Sequence, residues 1–383
     1  MLPAATRPSL SSMPAEPVPT LYLAFDLGNR AWTLGFTTGF GQPPRERAIP
    51  ARDLAALAGE LTLAKRRFGL PPETRVCSCY EAGRDGFWLH RALSQQGVEN
   101  LIVDAASIEV NRRARRAKSD RLDVRKLLTM LLRYHAGERR VWHVVRVPTV
   151  AEEDRRQLHR ELLTTKRDRT RLTNRIRGLL AGQGVALASL ADFPARLPTL
   201  RTWDGSALPA ALGARLAREW VKVDGLSAQI RALETERRHL LCTSADPAVA
   251  QVRQLLALQA LGPASAWLYV MEFFSWRHFA NRREVGALAG LTPTPYQSGD
   301  QHREQGITKA GNRLIRARAI EIAWAWLRWQ PDSALARWYQ ARFGQGSSRV
   351  RRIGIVALTR RLLIELWRYL ETGAVPEGAV LKA

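Results

Sequence analysis

Apolar positions recur along this chain with two periods, and the period changes near residue 150. Leu21–Leu27 is an apolar run that ends in Asp-Leu-Gly-Asn, and Ala31–Thr38 is rich in Trp, Thr and Phe. Both read as strands, with Arg47–Pro50 as a short third. Arg52–Phe68 places Leu54, Leu57, Ala58 and Leu61 on one face and predicts a helix. Val76–Tyr80 is a second central strand, followed by a Gly-rich turn and a helix over Phe87–Gln96. Leu101–Val103 predicts another short strand, and Ser119 is placed to cap a helix running through Leu132.

Beyond residue 150 the spacing becomes helical. Leu158, Leu162, Thr165, Arg169, Leu172, Ile176 and Leu179 are four and three apart. After a Pro-containing loop (Ala191–Ala210), Leu216, Trp220, Val223, Leu226, Ile230, Leu233 and Leu240 repeat the pattern. Two long helices predict a helical hairpin or coiled coil over 150–245, or else two helices of one bundle, because the seam is interrupted. Residues 250–372 read as a mainly helical unit holding many of the tryptophans, broken at Thr292–Ile307 by Pro, Gly and Ser. Trp324 and Trp326 lie in an otherwise apolar helix and read as core. The ends, 1–19 and 373–383, read as tails, the first disordered and the second frayed.

Charge changes this picture of a plain multidomain protein. The 383 residues carry 59 Lys plus Arg against 35 Asp plus Glu, a net +24, with 46% hydrophobic residues to build cores. Such a surplus favours a polyanionic partner, because each phosphate neutralised releases condensed counterions. A membrane is the rival polyanion, but no apolar stretch reaches the roughly 20 residues needed to span one. Met1–Thr20 lacks the apolar core of a signal peptide. Cys77, Cys79 and Cys242 form neither a disulfide framework nor a zinc spacing, and read as small buried side chains in a reducing cytoplasm. The seven histidines show no paired metal-ligand spacing. Nine Lys/Arg lie between Arg155 and Arg177, among them Arg167, Arg171 and Arg175, an expected nucleic-acid face or simply a solvated one.

Four acids carry the candidate chemistry. Asp26 and Glu81 each end an apolar strand, and Asp120 and Asp123 project from one face of a helix. Three strands, helix, strand, helix, strand, helix over 20–138 is the order of an α/β RNase H-like (RuvC-like) fold. In that order neighbouring strands bring Asp26 and Glu81 to one sheet edge. Such a cluster suits one or two Mg2+ ions, hard cations that take oxygen ligands and promote phosphodiester chemistry. Individually the signals are weak: a strand-end Asp is often a turn residue, and Asp pairs at helix starts cap and complement the dipole. Asp-Leu-Gly after a strand also occurs in sugar kinases of the actin-like fold. Asn111–Lys118 adds Arg112, Arg113, Arg115, Arg116 and Lys118 just ahead of the Asp pair, a candidate steering patch for DNA or RNA.

At this point the chain resembles a known family. Tyr80-Glu81-Ala82-Gly83 with Phe87-Trp88-Leu89 and Leu93 looks like the Glu-Ala-Gly motif of DEDD transposases of bacterial insertion sequences. Lys118-Ser119-Asp120-Arg121-Leu122-Asp123 looks like their Lys-(Ser/Thr)-Asp-x-x-Asp helix. Glu284–Leu291 with Thr292-Pro293, then Gln297-Ser298-Gly299 and Gly306–Arg313, are similar to three carboxyl-terminal signatures. The resemblance covers roughly residues 21–370 in order. Leu258-Gln259-Ala260-Leu261-Gly262 departs from it, since many relatives have Pro-Gly-x-Gly there, and a standard hairpin phosphate contact is not expected.

The resemblance implies a recombinase guided by a bridge RNA, acting on donor and target double-stranded DNA. It implies a composite site in which the Mg2+-binding Asp26, Glu81, Asp120 and Asp123 work with a serine nucleophile at Ser298, forming a phosphoserine link. It further implies that the helical region pairs subunits in a dimer or tetramer, and that the protein associates with the nucleoid. Lys309 and Arg313, near Ser298 in sequence, become candidate phosphate contacts. On its residues alone, Ser298 before Gly299 reads as a turn. Two alternatives remain: a hydrolytic nuclease of the Holliday-junction resolvase type, and a non-catalytic RNA- or DNA-binding protein.

Overall fold

A computed structural model describes residues 19–108, 119–298 and 301–382 of the chain. The expected amino-terminal tail and the basic residues Arg112, Arg113, Arg115, Arg116 and Lys118 lie outside the described residues, as does Gly299. The chain divides into two compact units, Met1–Val147 and Pro148–Ala383.

In the first unit the strands are β1 (Thr20–Leu27), β2 (Ala31–Thr37), β3 (Arg45–Pro50), β4 (Arg75–Glu81) and β5 (Glu99–Val103). The helices are α1 (Leu54–Arg67), α2 (Trp88–Gln95) and α3 (Asp120–His135). The sheet order is β3-β2-β1-β4-β5. β1, β2 and β3 pair antiparallel, whereas β4 joins β1 and β5 joins β4 in parallel. Alternation explains the layering. Leu21, Leu23 and Phe25 point into one core with Leu57 and Leu61 of α1 and Leu89 and Leu93 of α2. Ala24 and Cys79 point to the opposite face, where Val124, Leu127, Leu128 and Leu131 of α3 cover them. Each of these fully buried large side chains contributes roughly 1.5–3 kcal/mol.

The predicted elements of this unit all form, with shifted ends. β3 starts at Arg45 and β5 at Glu99, and α3 runs on to His135. The first helix begins at Leu54, because Asp53 rather than Arg52 caps it, accepting from Ala56 N at 2.8 Å. Gly35 on β2 sets the depth of α3: a Cβ there would lie 2.3 Å from Val124 Cγ1 and 2.8 Å from Leu128 Cδ1. Only a residue without a side chain lets the helix settle this close to the sheet.

The second unit opens with a short helix α4 (Val150–Asp154) and a pair of long ones, α5 (Gln157–Ala181) and α7 (Ala210–Thr243), with the four-residue α6 (Phe193–Arg196) in their connection. The pair is antiparallel, as its ion pairs show: Arg175 meets Glu219 at 3.2 Å and Lys166 meets Glu234 at 2.5 Å. Its buried seam is split into two clusters, one around Leu172, Ile176, Leu216 and Val223 and one around Leu162, Ile230 and Leu233. Leu179 packs half-buried against the first of these clusters, as its spacing predicts, and Leu180 beside it is fully buried. Cys242, on α7, is exposed rather than buried, whereas Cys77 and Cys79 are buried as expected.

Next come α8 (Pro247–Ala257), α9 (Pro263–Tyr269) continuing into a π-turn over Val270–Phe274, and α10 (Arg282–Leu288). A β-hairpin follows, β6 (Pro293–Ser298) and β7 (Gln301–Ile307), then α11 (Arg313–Trp329), α12 (Ala334–Tyr339) and α13 (Ser348–Thr372). A large core joins α8, α9, α11 and α13 around Trp267, Phe273, Trp326 and Leu366. Trp326 is core as expected, but Trp324, two residues away on the helix, is 46% exposed. Ala260, between α8 and α9, has φ +77, a region that glycine enters freely and alanine enters at a cost of about 1–2 kcal/mol. The tail expected to fray is held. Lys382 N donates to Ala257 O at 2.7 Å, and buried Gln330 donates to Val380 O and accepts from Val380 N.

A polar joint fastens the base of the long helices to this core. Arg160 donates twice to Glu272, at 2.6 and 2.9 Å. Beside it His159 is 2% exposed, with no hydrogen-bond partner for either ring nitrogen among the described residues. Burial pushes its pKa down to about 4; Glu272 opposes this, while Arg237, Arg318 and Arg160 reinforce it. The unfolded chain takes up this proton near pH 6.5 and the folded chain only near 4. Stability from this group is therefore complete above pH 6.5 and is lost as pH falls toward 4, by about 1.4 kcal/mol per pH unit. Urea unfolding should show it: between pH 6.5 and 5 the wild type is expected to lose about 2 kcal/mol more than His159→Leu. Equal losses would show that His159 is not held neutral.

Candidate metal centre

The register of the parallel strands begins the site. Phe25 of β1 is level with Tyr80 of β4, so Asp26 and Glu81 follow side by side at the carboxyl ends of adjacent strands. Ala82 N donates to Val103 O at 2.8 Å and holds the chain in line just past Glu81. α3 brings the other two acids. Its cap Ser119 accepts from Leu122 N, and Asp120 and Asp123 occupy its first turn, where the helix dipole favours carboxylates. The close approach at Gly35 seats that turn over the strand ends.

As a result Asp26, Glu81, Asp120 and Asp123 all line one cleft of about 490 Å³. Asp26 and Asp123 are half-buried; Glu81 and Asp120 are exposed. Among the described residues no three acidic, histidine or cysteine side chains stand close enough together to form a ready ligand set. The donors fit a hard divalent cation by their chemistry. They are all carboxylate oxygens, with two exposed members free to turn, and they suit an ion that keeps several waters. Two neighbouring cations are drawn aside: Arg121 and Arg125 of α3 pair with Glu46 on β3, Arg121 at 3.8 Å.

Sequence reasoning missed Arg84 and Asp85, which line the same cleft. Their position in the turn after Glu81 was the only signal, and charged turn residues are usually solvated. Here the Asp85 side chain is 5% exposed, and Arg52 Nη2 reaches its Oδ1 at 3.0 Å from the turn before α1.

Ser298 ends β6, paired with Gln301 of β7, at the tip of the hairpin; its side chain lies outside the described residues. Lys309 and Arg313 stand at the other end. Pro293 pairs with Ile307 at the hairpin's base, so five residues of strand, roughly 17 Å, separate that base from Ser298 within one chain. Nearness in sequence is thus not nearness in space here. The glycines beside Lys309 do have a steric role. A Cβ on Gly290 would lie 2.2 Å from Ala310 O, and one on Gly311 2.3 Å from Leu288 O, where two backbone segments cross. Of the basic residues on α5, Arg175 is paired to Glu219 and Arg171 to Asp168 at 3.2 Å, while Arg167 stands exposed.

Comparison with known proteins decides the family. Residues 252–339, from α8 through the hairpin to α12, match the model of the IS116/IS110/IS902 transposase family. The putative transposase y4rJ of Sinorhizobium fredii is 41% identical over the full length of both chains. The chain belongs to the IS116/IS110/IS902 family of transposases. A probable family 20 transposase of Pseudomonas aeruginosa is 29% identical, over 61% of this chain and 68% of its own. The transposase for insertion sequence element IS1328 of Yersinia enterocolitica is 27% identical, over 56% and 63% respectively. Among the described residues of this transposase no helix is long and apolar enough to cross a membrane.

Proposed function

We propose that this transposase cuts and exchanges DNA strands at Mg2+ held by Asp26, Glu81, Asp120 and Asp123, with Ser298 as nucleophile and a structured RNA as guide. The single observation that carries the reading is the cleft itself: four carboxylates from two strands and one helix, distant in sequence, line one opening. The sheet order, with three antiparallel strands followed by two parallel ones, supports an RNase H-like reading of that unit. Bound Mg2+ would neutralise a scissile phosphate and lower the pKa of a nearby hydroxyl. The Ser298 hydroxyl would then attack phosphorus and give its proton to water, the bond from phosphorus to the sugar oxygen would break, and that oxygen would take a proton from water and leave as an alcohol. The phosphodiester count is conserved, so joining needs no external energy. The +24 charge supports double-stranded DNA and a guide RNA as partners. The two-helix arm supports pairing of subunits.

The test is cleavage of DNA carrying the ends of the element, by purified protein supplied with RNA transcribed from the flanking noncoding stretch. Cleavage is expected with Mg2+, to vanish on chelation and to return when Mg2+ is restored. Cleavage indifferent to chelation would overturn the metal reading, and cleavage indifferent to ribonuclease would overturn the guide.

A further inference from the structure

The acidic cleft holds one cationic side chain among the described residues, Arg84. Beside it stands Asp85. Its side chain is 5% exposed and is shared by two guanidinium groups, Arg52 Nη2 at 3.0 Å from Oδ1 and Arg84 Nη2 at 3.7 Å from Oδ2. A carboxylate so neutralised is a poor metal ligand, which separates Asp85 from the other four acids. Arg52 makes this contact from a backbone with φ +68. Such a conformation is costly for a residue with a side chain and is kept where the surroundings fix it. The Arg84 side chain is 58% exposed, and its contact with Asp85 is longer than a hydrogen bond. Its N–H donors therefore remain for a ligand.

We infer that Arg84 is a phosphodiester clamp for the nucleic-acid strand entering the cleft, with Asp85 and Arg52 as positioning residues; this rests on the metal-centre reading above. A planar guanidinium grips phosphate oxygens with two parallel donors. Mg2+ held by the four carboxylates would offset their repulsion of a phosphodiester. Asp85 attracts Arg84 at 3.7 Å without engaging its donors in a hydrogen bond, and the outer edge of the guanidinium stays open.

The experiment is binding of a DNA duplex of about 30 base pairs across a salt series, with Ca2+ replacing Mg2+ so that no strand is cut. Arg84→Gln is expected to bind several-fold more weakly at low salt and to lower the slope of log affinity against log salt by about one. Arg84→Lys keeps the charge and should keep the slope. Asp85→Asn should bind at least as well as wild type yet cleave about tenfold more slowly when assayed well below its unfolding temperature, which is expected to fall because the contact with Arg52 is lost. A merely structural Arg84 would move the unfolding temperature and not the slope. Wild-type slope and cleavage in Arg84→Gln would overturn the clamp. The two readings fail separately: Asp26→Asn cutting like wild type would overturn the metal centre, whereas wild-type slope in Arg84→Gln would overturn only the clamp.

Discussion

Asp26→Asn is expected to slow Mg2+-dependent strand cleavage by at least about 10³-fold, with little change in stability. Ion-mediated stabilisation of transition-state charge amounts to several kcal/mol, and about 4 kcal/mol is a factor of 10³. Asparagine keeps the shape of aspartate and one oxygen but loses the charge that holds a divalent cation. Asp26 is the acid to test first, because its place is fixed by the pairing of β1 with both β2 and β4. Asp120→Asn and Asp123→Asn are less clean, since both acids also face the positive end of α3. Losing either charge there costs about 0.3–1 kcal/mol of helix stability regardless of any metal. The measurement is single-turnover cleavage beside Mn2+ or Mg2+ titration calorimetry and an unfolding curve. Activity within tenfold of wild type would remove Asp26 from the metal set. Loss of activity with unchanged metal affinity would assign it another role.

How far the sequence announced this site depends on how local each signal is. Asp26 and Glu81 were legible because apolar strands end at them, and the alternation that buries Leu21, Leu23 and Phe25 is written residue by residue. Asp120 and Asp123 were legible from a cap and a three-residue spacing. Nothing local marks Asp85, whose importance comes from Arg52, 33 positions earlier in the chain. The same holds for the basic run of α5. Partners on α7, 44 and 68 positions away, neutralise Arg175 and Lys166 and remove them from any free cationic face. The tail after residue 373 read as frayed because its anchor, Gln330, is 50 positions away. The β6–β7 hairpin escaped notice for a different reason. Pro293 and Pro295 stand in its first strand and its described side chains are mostly exposed, so it shows no alternation of apolar and polar residues.

That hairpin carries the second large effect. Ser298→Ala is expected to abolish covalent attachment of DNA to the protein and strand joining, by more than about 10³-fold, while duplex binding and metal affinity stay at wild-type values. The expectation follows from chemistry that alanine cannot supply: without the hydroxyl no phosphoserine forms and no bond energy is stored for rejoining. The fold should tolerate the change, since Ser298 is the last residue of β6 at the tip of a two-stranded hairpin. Denaturing electrophoresis of protein labelled through radioactive DNA reads the adduct directly, and end analysis of released strands reads the competitor. A hydrolytic nuclease would use water at the same four carboxylates, so Ser298→Ala would still cut at full rate and leave no adduct. Full cutting with free phosphate and hydroxyl ends would therefore assign the cleft to hydrolysis. Loss of cutting together with the adduct would make the hairpin tip half of the reaction centre. Ser298→Cys adds a control, because a thiolate attacks phosphorus poorly: it should bind DNA normally and restore little of the adduct.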